Sequence, residues 1–178
     1  MSEPRLEAVC EIVVELGESL DFGETRRGLR RITPILGGSI AGLSGAPLGD
    51  AVRALRAEIL SGGGDRQLVR APESSVDGAL TVDSSAGFPV AAGAGAGSVV
   101  EIDARYDAKT EQGALISIHA VGVRRTPGAE DPDGVVYFRV AIDFETADPA
   151  LAALQDSLFV ADGVRQQDRV RHIVYRVA

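Results

Sequence analysis

The sequence has one cysteine, Cys10, and only two histidines, His119 and His172. A single cysteine excludes an internal disulfide and a thiolate metal cluster. The histidines lie far apart in the chain, outside the HxH and HExxH spacings of zinc sites. We therefore expect no bound metal. Cys10 alternates with apolar residues in the stretch AVCEIVVEL, which predicts a buried, unreactive thiol.

Basic residues are few, and Lys109 is the only lysine. The 18 Lys and Arg residues are scattered among 26 Asp and Glu, which gives a net charge of -8. Because no basic face is available for a phosphate backbone, nucleic acid is not an expected partner. The sequence also lacks a signal-peptide pattern and any apolar run approaching about 18 residues. We expect a soluble cytoplasmic protein that does not bind a membrane.

Two glycine-rich stretches are compared with the motifs that bind nucleotides. A phosphate loop needs GxxxxGK[ST] between a strand and a helix. The stretch LSGGGDRQLV, residues 60–69, lacks the lysine, and a strand pattern follows its glycines. The run GAGAG at residues 93–97 is followed by SVVEIDARYD instead of the helix that a dinucleotide fingerprint requires. The glycines of residues 62–64 are predicted to form a tight turn.

Alternation of apolar and polar residues recurs along the chain and predicts strands. It is found at residues 8–16, 31–40, 55–60, 67–70, 99–107, 114–123, 135–145 and 170–178. A turn of helix is expected before residue 55, and a second short helix after Asp148, an N-cap residue followed by Pro149. Residues 71–98, rich in Gly, Ala and Ser, are predicted to be a surface insertion. The pattern predicts an all-β protein: a single antiparallel β-barrel of about 8–10 strands, preferred over a sandwich because closure leaves no edge strands.

A set of charged and polar residues falls on these strands and is the candidate for chemistry. It comprises Asp65, Gln67, Asp103, Arg105, Arg139, Asp143 and Glu145. Residues two apart on a strand share a face, so Asp103 and Arg105 form a same-side pair. If the face is exterior, the pair is a weak surface ion pair. If it is the barrel lumen, it can bind a polar substrate or transfer protons, and His119 is a further group that titrates near neutral pH.

Several blocks of the sequence, in this order, resemble the DUF3237 family, also called UPF0311. They are RRITPILGGSIAG, EILSGGGDRQLVR, EIDARYDAKTEQGALISIHAVGVR, VYFRVAIDFET and SLFVADG. The resemblance implies a compact antiparallel barrel, broadly similar to the allene oxide cyclase and dirigent barrels, with a central cavity for a small organic molecule. The family's motifs fall here on Asp65, Gln67, Asp103, Arg105, Tyr106, Phe138, Arg139, Phe144 and Glu145.

The sequence departs from the family's motifs at four positions. Arg66 stands where the motif has Trp, Ala120 where it has Asn, and Ala153 and Gln155 where it has Trp and Asn. If these positions line the cavity, the pocket is reshaped and more open than in most relatives, and the activity typical of the family need not transfer.

The resulting functional hypothesis is a cofactor-independent isomerase, cyclase or related lyase acting on a small polyketide-like or terpenoid-like molecule. Asp103 is predicted to be the base or a hydrogen-bond acceptor, Arg105 and Arg139 stabilise an anion or carbonyl, and His119 is a further proton-transfer candidate. The residues predicted to bind or orient the substrate are Asp65, Arg66, Gln67, Tyr106, Phe138, Phe144 and Glu145. The alternatives are a carrier or sensor barrel without chemistry, and a structural module with a filled interior. A homodimer is also expected.

Overall fold

The computed structural model describes residues 3–70, 97–128 and 134–178. In this part of the chain the backbone forms ten strands, an α-helix of one turn and a short 3-10 helix. The strands are β1 (Leu6–Leu16), β2 (Leu20–Thr25), β3 (Gly28–Gly42), β4 (Arg56–Ile59), β5 (Gly64–Arg70), β6 (Val99–Thr110), β7 (Leu115–Arg125), β8 (Tyr137–Thr146), β9 (Phe159–Arg165) and β10 (Arg169–Val177). Helix α1 spans Asp50–Arg53, between β3 and β4, and the 3-10 helix spans Pro149–Leu154, between β8 and β9.

Antiparallel pairing closes the sheet into a barrel. The circuit runs β1-β10-β9-β8-β7-β6-β5-β3 and returns from β3 to β1. Strand β4 lies between β3 and β6 beyond the end of β5, and β2 pairs with β3 outside the circuit. Closure leaves the eight strands of the circuit without a free edge. The predicted all-β barrel with short helices is therefore confirmed.

The apolar face of each strand is the inner face of the barrel. Strand β6 shows this most simply, because alternate residues from Val100 to Thr110 are buried while Asp103, Arg105, Asp107 and Lys109 are exposed. Burying an aliphatic or aromatic side chain contributes roughly 1.5–3 kcal/mol, so a register slip of one residue would expose the whole inner row.

The two short helices close one end of the barrel. They contact each other, and their side chains Val52, Leu151 and Leu154 are buried in the core. The side chain of Asp148 accepts a hydrogen bond of 2.9 Å from the amide of Ala150, which is the N-cap predicted for this helix. In the described ranges, no helix has the length and apolarity needed to cross a membrane.

The connection from β4 to β5 supports the predicted tight turn. Gly62 has a φ of +114°, a conformation that favours glycine. A Cβ on Gly63 would lie 2.6 Å from Tyr106 Cβ and 2.7 Å from the carbonyl oxygen of Arg105. The glycines therefore let the chain reverse against β6.

The structure differs from the sequence prediction in two strands. Strand β2 was not predicted, because Leu20 and Phe22 are both exposed and no apolar face marks it. Strand β9 was not predicted either, since Asp162 and Gly163 interrupt its pattern. Residues 71–96 of the predicted surface insertion lie outside the described residues.

Candidate functional site

A cavity lies inside the barrel, toward the end opposite the two short helices. Its residues are Val14, Leu16, Ile35, Asp65, Gln67, Ile102, Ala104, Tyr106, Ala120, Arg124, Phe138, Arg165, Val170 and His172. The volume inside the cavity that a water molecule can reach is about 30 Å³. With the open solvent at its mouth included, the space is about 480 Å³. The smaller volume is room for about two water molecules.

Small side chains create this space. Asp65 on β5 stands opposite Ala104 on β6, and Ala104 stands opposite Ala120 on β7. Directly opposed side chains on one face of a sheet lie about 5 Å apart. Two alanines beside Asp65 therefore leave a gap that larger aliphatic residues would fill.

The carboxylate of Asp65 is buried at the centre of the cavity wall. Its Oδ2 accepts a hydrogen bond of 2.6 Å from Gln67 Nε2, and its Oδ1 accepts one of 3.2 Å from the amide of Asp103. Burial raises the pKa of Asp65, while these two hydrogen bonds and the charges of Arg124 and Arg165 oppose the rise. Asp65 is thus held by donors on β5 and β6 and faces cationic groups across the lumen.

Three arginines stand on inward faces at the open end of the barrel: Arg31 on β3, Arg124 on β7 and Arg165 on β9. Burial is the largest cause lowering the pKa of each guanidinium. The charge of Asp65 acts on all three in the opposite direction, and the arginines act unfavourably on one another. Arginine stays charged in proteins despite such shifts, so this end of the lumen is cationic.

Tyr106 and His172 supply two further polar groups to the cavity. In the described residues, neither Tyr106 Oη nor His172 Nδ1 has a hydrogen-bond partner. Burial raises the pKa of the Tyr106 phenol well above its ordinary value. Burial also lowers the pKa of His172 to about 4, although the charge of Asp162 and a hydrogen bond with its backbone oppose the shift. The imidazole, which packs edge to face on Phe138 with ring centroids 5.2 Å apart, is therefore neutral at pH 7.

The four residues predicted to be catalytic do not face the lumen, which corrects the expectation drawn from the sequence. The side chains of Asp103 and Arg105 are 52% and 72% exposed, on the outer face of β6. His119 Nε2 lies 2.8 Å from Asp103 Oδ1 on the same outer face. Arg139 is half-exposed, pairs with Asp162, and stacks over Tyr137 at 5.3 Å. They point outward because the opposite face of each strand is the apolar one.

The residues predicted to bind substrate divide between the two faces. Asp65, Gln67, Tyr106 and Phe138 line the cavity. Phe144 is buried deeper in the lumen, edge to face on Phe159 with centroids 5.3 Å apart. Arg66 and Glu145 are exposed on the outer face and do not line the cavity. Their role in binding stays a prediction.

Of the four positions that depart from the family's motifs, Ala120 lines the cavity, whereas Arg66 is exposed on the outside of the barrel. Gln155 Nε2 donates to the carbonyl of Thr146 outside the lumen. The substitution at Arg66 therefore does not reshape the pocket.

Sequence reasoning missed Arg31, Arg124, Arg165 and His172. Each is a polar residue on the otherwise apolar face of its strand: His172, for example, shares a face with Val170 and Val174. That interruption is the signal that would have found them. Most of the charged residues that the strand pattern indicated, such as Asp103, Arg105 and Arg139, lie instead on the faces opposite the apolar ones, where a barrel is solvated.

Within the described ranges, no group of three or more His, Cys, Asp and Glu side chains is arranged to hold a metal ion. The absence of a metal or cofactor stays a prediction.

The fold and the cavity define this protein as a closed, eight-stranded antiparallel β-barrel with a polar site at one end of its lumen. A family model described as "Protein of unknown function (DUF3237)" matches residues 4–177. The chain belongs to this family, which confirms the resemblance.

Known relatives share the barrel. A UPF0311 protein of Rhodopseudomonas palustris is 29% identical over 185 residues, covering 98% of both chains. Its crystal structure superposes with a TM-score of 0.74 over the whole of both chains. A protein of Acinetobacter baumannii described as β-barrel-like is 25% identical, with a TM-score of 0.73 over 100% of this chain and 98% of the other. A protein of Penicillium herquei described as an enzyme shares the fold alone, at 13% identity and a TM-score of 0.60, covering 100% of this chain and 97% of its own.

Proposed function

We propose that the lumen cavity is the active site of a cofactor-independent enzyme that moves a proton on a small organic molecule. The reaction class is that of an isomerase, a cyclase or a related lyase. The observation that supports this is the pair Tyr106 Oη and His172 Nδ1, both buried, both at the cavity, and both without a partner in the described part of the chain. Buried polar atoms are otherwise almost always hydrogen-bonded, so an unpaired set at a cavity favours a ligand that completes it.

The two groups have complementary abilities. Since burial raises its pKa, Tyr106 keeps its proton and donates a hydrogen bond to a carbonyl or enolate oxygen. His172 is neutral near pH 7 because burial lowers its pKa to about 4, so its Nδ1 accepts a proton or a hydrogen bond. Asp65, positioned by Gln67, orients the polar end of the substrate. These roles replace those predicted for Asp103, Arg105, Arg139 and His119.

The remaining walls of the cavity are apolar. Ile102, Ala104, Phe138 and Val170 surround the polar groups and would hold a substrate in one shape, which lowers the entropic cost of ring closure or proton transfer. The volume of the cavity that a water molecule can reach is only about 30 Å³. We therefore expect a small substrate, admitted by outward movement of the partly exposed side chains Arg124 and Arg165.

The test is hydrogen–deuterium exchange at the carbon next to a carbonyl, followed by NMR with cyclohexanone as the probe. We expect wild-type protein to accelerate exchange over buffer. Tyr106→Phe and His172→Gln should each lower the protein-dependent rate about 100-fold or more, the usual contribution of acid–base groups. Asp103→Asn and His119→Gln are the matched outer-face controls and should leave the rate within about twofold. Loss of exchange in the controls alone would place the chemistry outside the lumen.

A binding barrel without chemistry is the second candidate. It is favoured by the outward direction of the residues predicted to be catalytic. In that case cyclohexanone would give a saturation-transfer signal from the lumen, lost in a Tyr106→Phe variant, without any exchange. The homodimer, the cytoplasmic location, and the lack of nucleic-acid and membrane partners stay predictions from the sequence.

A further inference from the structure

We propose that the open end of the lumen is an anion site, in which Arg31, Arg124 and Arg165 receive the carboxylate or phosphate group of a small organic ligand. This site would define the class of ligand that the cavity binds. It rests on the proposed function only in taking the same cavity as the binding site. The proposal depends on position, charge and unpaired donors.

The strand register brings the three arginines to one end. Arg124 stands opposite Val100 on β6 and Phe138 on β8. Arg165 stands opposite Val170 on β10, and Arg31 opposite Gln67 on β5. Val170, Phe138 and Gln67 all line the cavity, as do Arg124 and Arg165 themselves, and Arg31 is buried beside Gln67. The guanidinium groups therefore arise from three sides of the same end of the lumen.

Among the residues that the structure describes, the cationic charge at this opening exceeds the anionic charge. Asp65 is the buried carboxylate that acts on all three arginines. Asp21 and Asp168 also act on Arg31 and Arg165, respectively, but both are exposed, and Asp168 accepts a hydrogen bond of 3.3 Å from Arg169. Solvent screens such exposed charges, which leaves an excess of positive charge in a chain whose net charge is -8.

Several surface arginines form ion pairs with carboxylates, whereas these three inward-facing arginines form none with the described residues. Surface pairs include Arg70 with Glu101, Arg139 with Asp162, and Arg171 with Glu11 at 2.6 Å. Arg31, Arg124 and Arg165 make no ion pair within 4.0 Å with any described residue.

Buried guanidinium atoms of Arg31 and Arg124 also lack acceptors, whereas Arg165 Nε donates a hydrogen bond of 2.9 Å to the carbonyl of Gln166. Arg31 is only 2% exposed, and its Nε and Nη2 atoms have no hydrogen-bond partner within the described residues. The same holds for Arg124 Nε. A buried charged donor without an acceptor is costly, and the planar fork of a guanidinium matches the two oxygens of a carboxylate or phosphate. An oxyanion therefore supplies what these groups lack.

The cavity also sets the orientation of the ligand. Its anionic group meets the arginines at the opening, and its body extends toward the apolar walls around Ile102, Ala104 and Ala120. The carbonyl or hydroxyl that reacts then lies near Tyr106 and His172. The ligand class is a small organic anion with an apolar body.

The experiment measures thermal unfolding of the full chain at constant ionic strength with sodium benzoate, inorganic phosphate, or neutral benzamide as the probe. A ligand that binds the folded state raises the unfolding temperature in a saturable way. We expect such a rise with benzoate or phosphate and none with benzamide. A response to benzoate alone assigns the site to carboxylates, and one to phosphate alone assigns it to phosphates.

Arg124→Gln should weaken the apparent affinity for the responding anion at least tenfold, and Arg165→Gln should do the same. Both variants should fold, because each removes one of three neighbouring like charges. The matched control is Arg125→Gln, the next residue on β7, which is exposed and lies over the Tyr137 ring at 5.9 Å. It should retain the wild-type affinity.

The proposal is overturned if neither anion stabilises wild-type protein, or if Arg125→Gln loses as much affinity as Arg124→Gln. Its failure is separable from failure of the enzyme proposal. Anion stabilisation without ketone exchange would reject the enzyme and retain this site, whereas exchange without anion stabilisation would do the reverse.

Discussion

The buried imidazole of His172 makes the stability of this protein depend on pH in a defined window. The ring is 6% exposed. It lies between Phe138 on β8 and Gly163 on β9, where a Cβ would be 3.0 Å from its Cε1 atom, and opposite Ile12 on β1. Asp162 is the charged group that opposes the desolvation. The folded barrel therefore favours the neutral ring, and unfolding favours the protonated one at acidic pH.

The size of the stability loss on acidification follows from the pKa of His172 in the unfolded and folded states. In the unfolded chain the pKa is the ordinary 6.5, and in the fold it is about 4. Because the folded pKa is lowered, the contribution of the neutral ring is fully present above pH 6.5 and is lost as the pH falls toward 4. Each pKa unit corresponds to about 1.4 kcal/mol, so the full loss is about 3.4 kcal/mol, of which about 2.4 kcal/mol falls between pH 7 and pH 4.5.

The assay is urea unfolding followed by circular dichroism at pH 7 and pH 4.5, for wild type, His172→Gln and His119→Gln. Other groups, including Glu11 with its lowered pKa and Asp65 with its raised pKa, titrate in all three proteins and cancel in the comparison. We expect His172→Gln to lose about 2.4 kcal/mol less stability on acidification than wild type. His119→Gln should follow wild type because it retains His172. Equal losses in wild type and His172→Gln would refute a buried neutral imidazole.

Two further predictions concern Tyr106 and its neighbour Gly63. Tyr106→Phe should raise the free energy of unfolding by about 1 kcal/mol in urea, because it removes a buried hydroxyl that has no partner among the described residues; a loss of stability would mean that the hydroxyl is satisfied in the fold. Gly63→Ala should lower the free energy of unfolding by about 1–3 kcal/mol, since its Cβ would lie 2.6 Å from Tyr106 Cβ. The control for Gly63→Ala is Gly45→Ala, whose Cβ would meet no atom within 4 Å, and an equal loss in that control would contradict the steric explanation.

The strand pattern predicted most of the barrel, because alternation records burial directly. Strands β6, β7 and β8 lie at the positions predicted for them, and their apolar rows face the core. Alternation does not mark strand β2, because Leu20 and Phe22 are exposed and the strand forms by pairing with β3 and not by burying a face. The family's motifs predicted four cavity residues, Asp65, Gln67, Tyr106 and Phe138.

The candidate site depended on which polar residues meet across the lumen. Asp65, Arg124 and Arg165 are separated by 59 and 41 positions along the chain, and no local pattern relates them. Closure of the sheet places their strands around one opening. The same closure turned Asp103, Arg105 and His119 outward, together with the polar faces of β6 and β7.

By itself, the sequence determined the class of structure: its period of two specifies strands with one apolar face, and its composition excludes an internal disulfide and a thiolate metal cluster. Only the tertiary structure decided where the chemistry can occur. The reason is that the sequence alone scarcely distinguishes a charged residue on the apolar face of a strand from one on its polar face. In a closed barrel the first is buried among other charges, where its hydrogen bonds and its pKa matter, and the second is solvated.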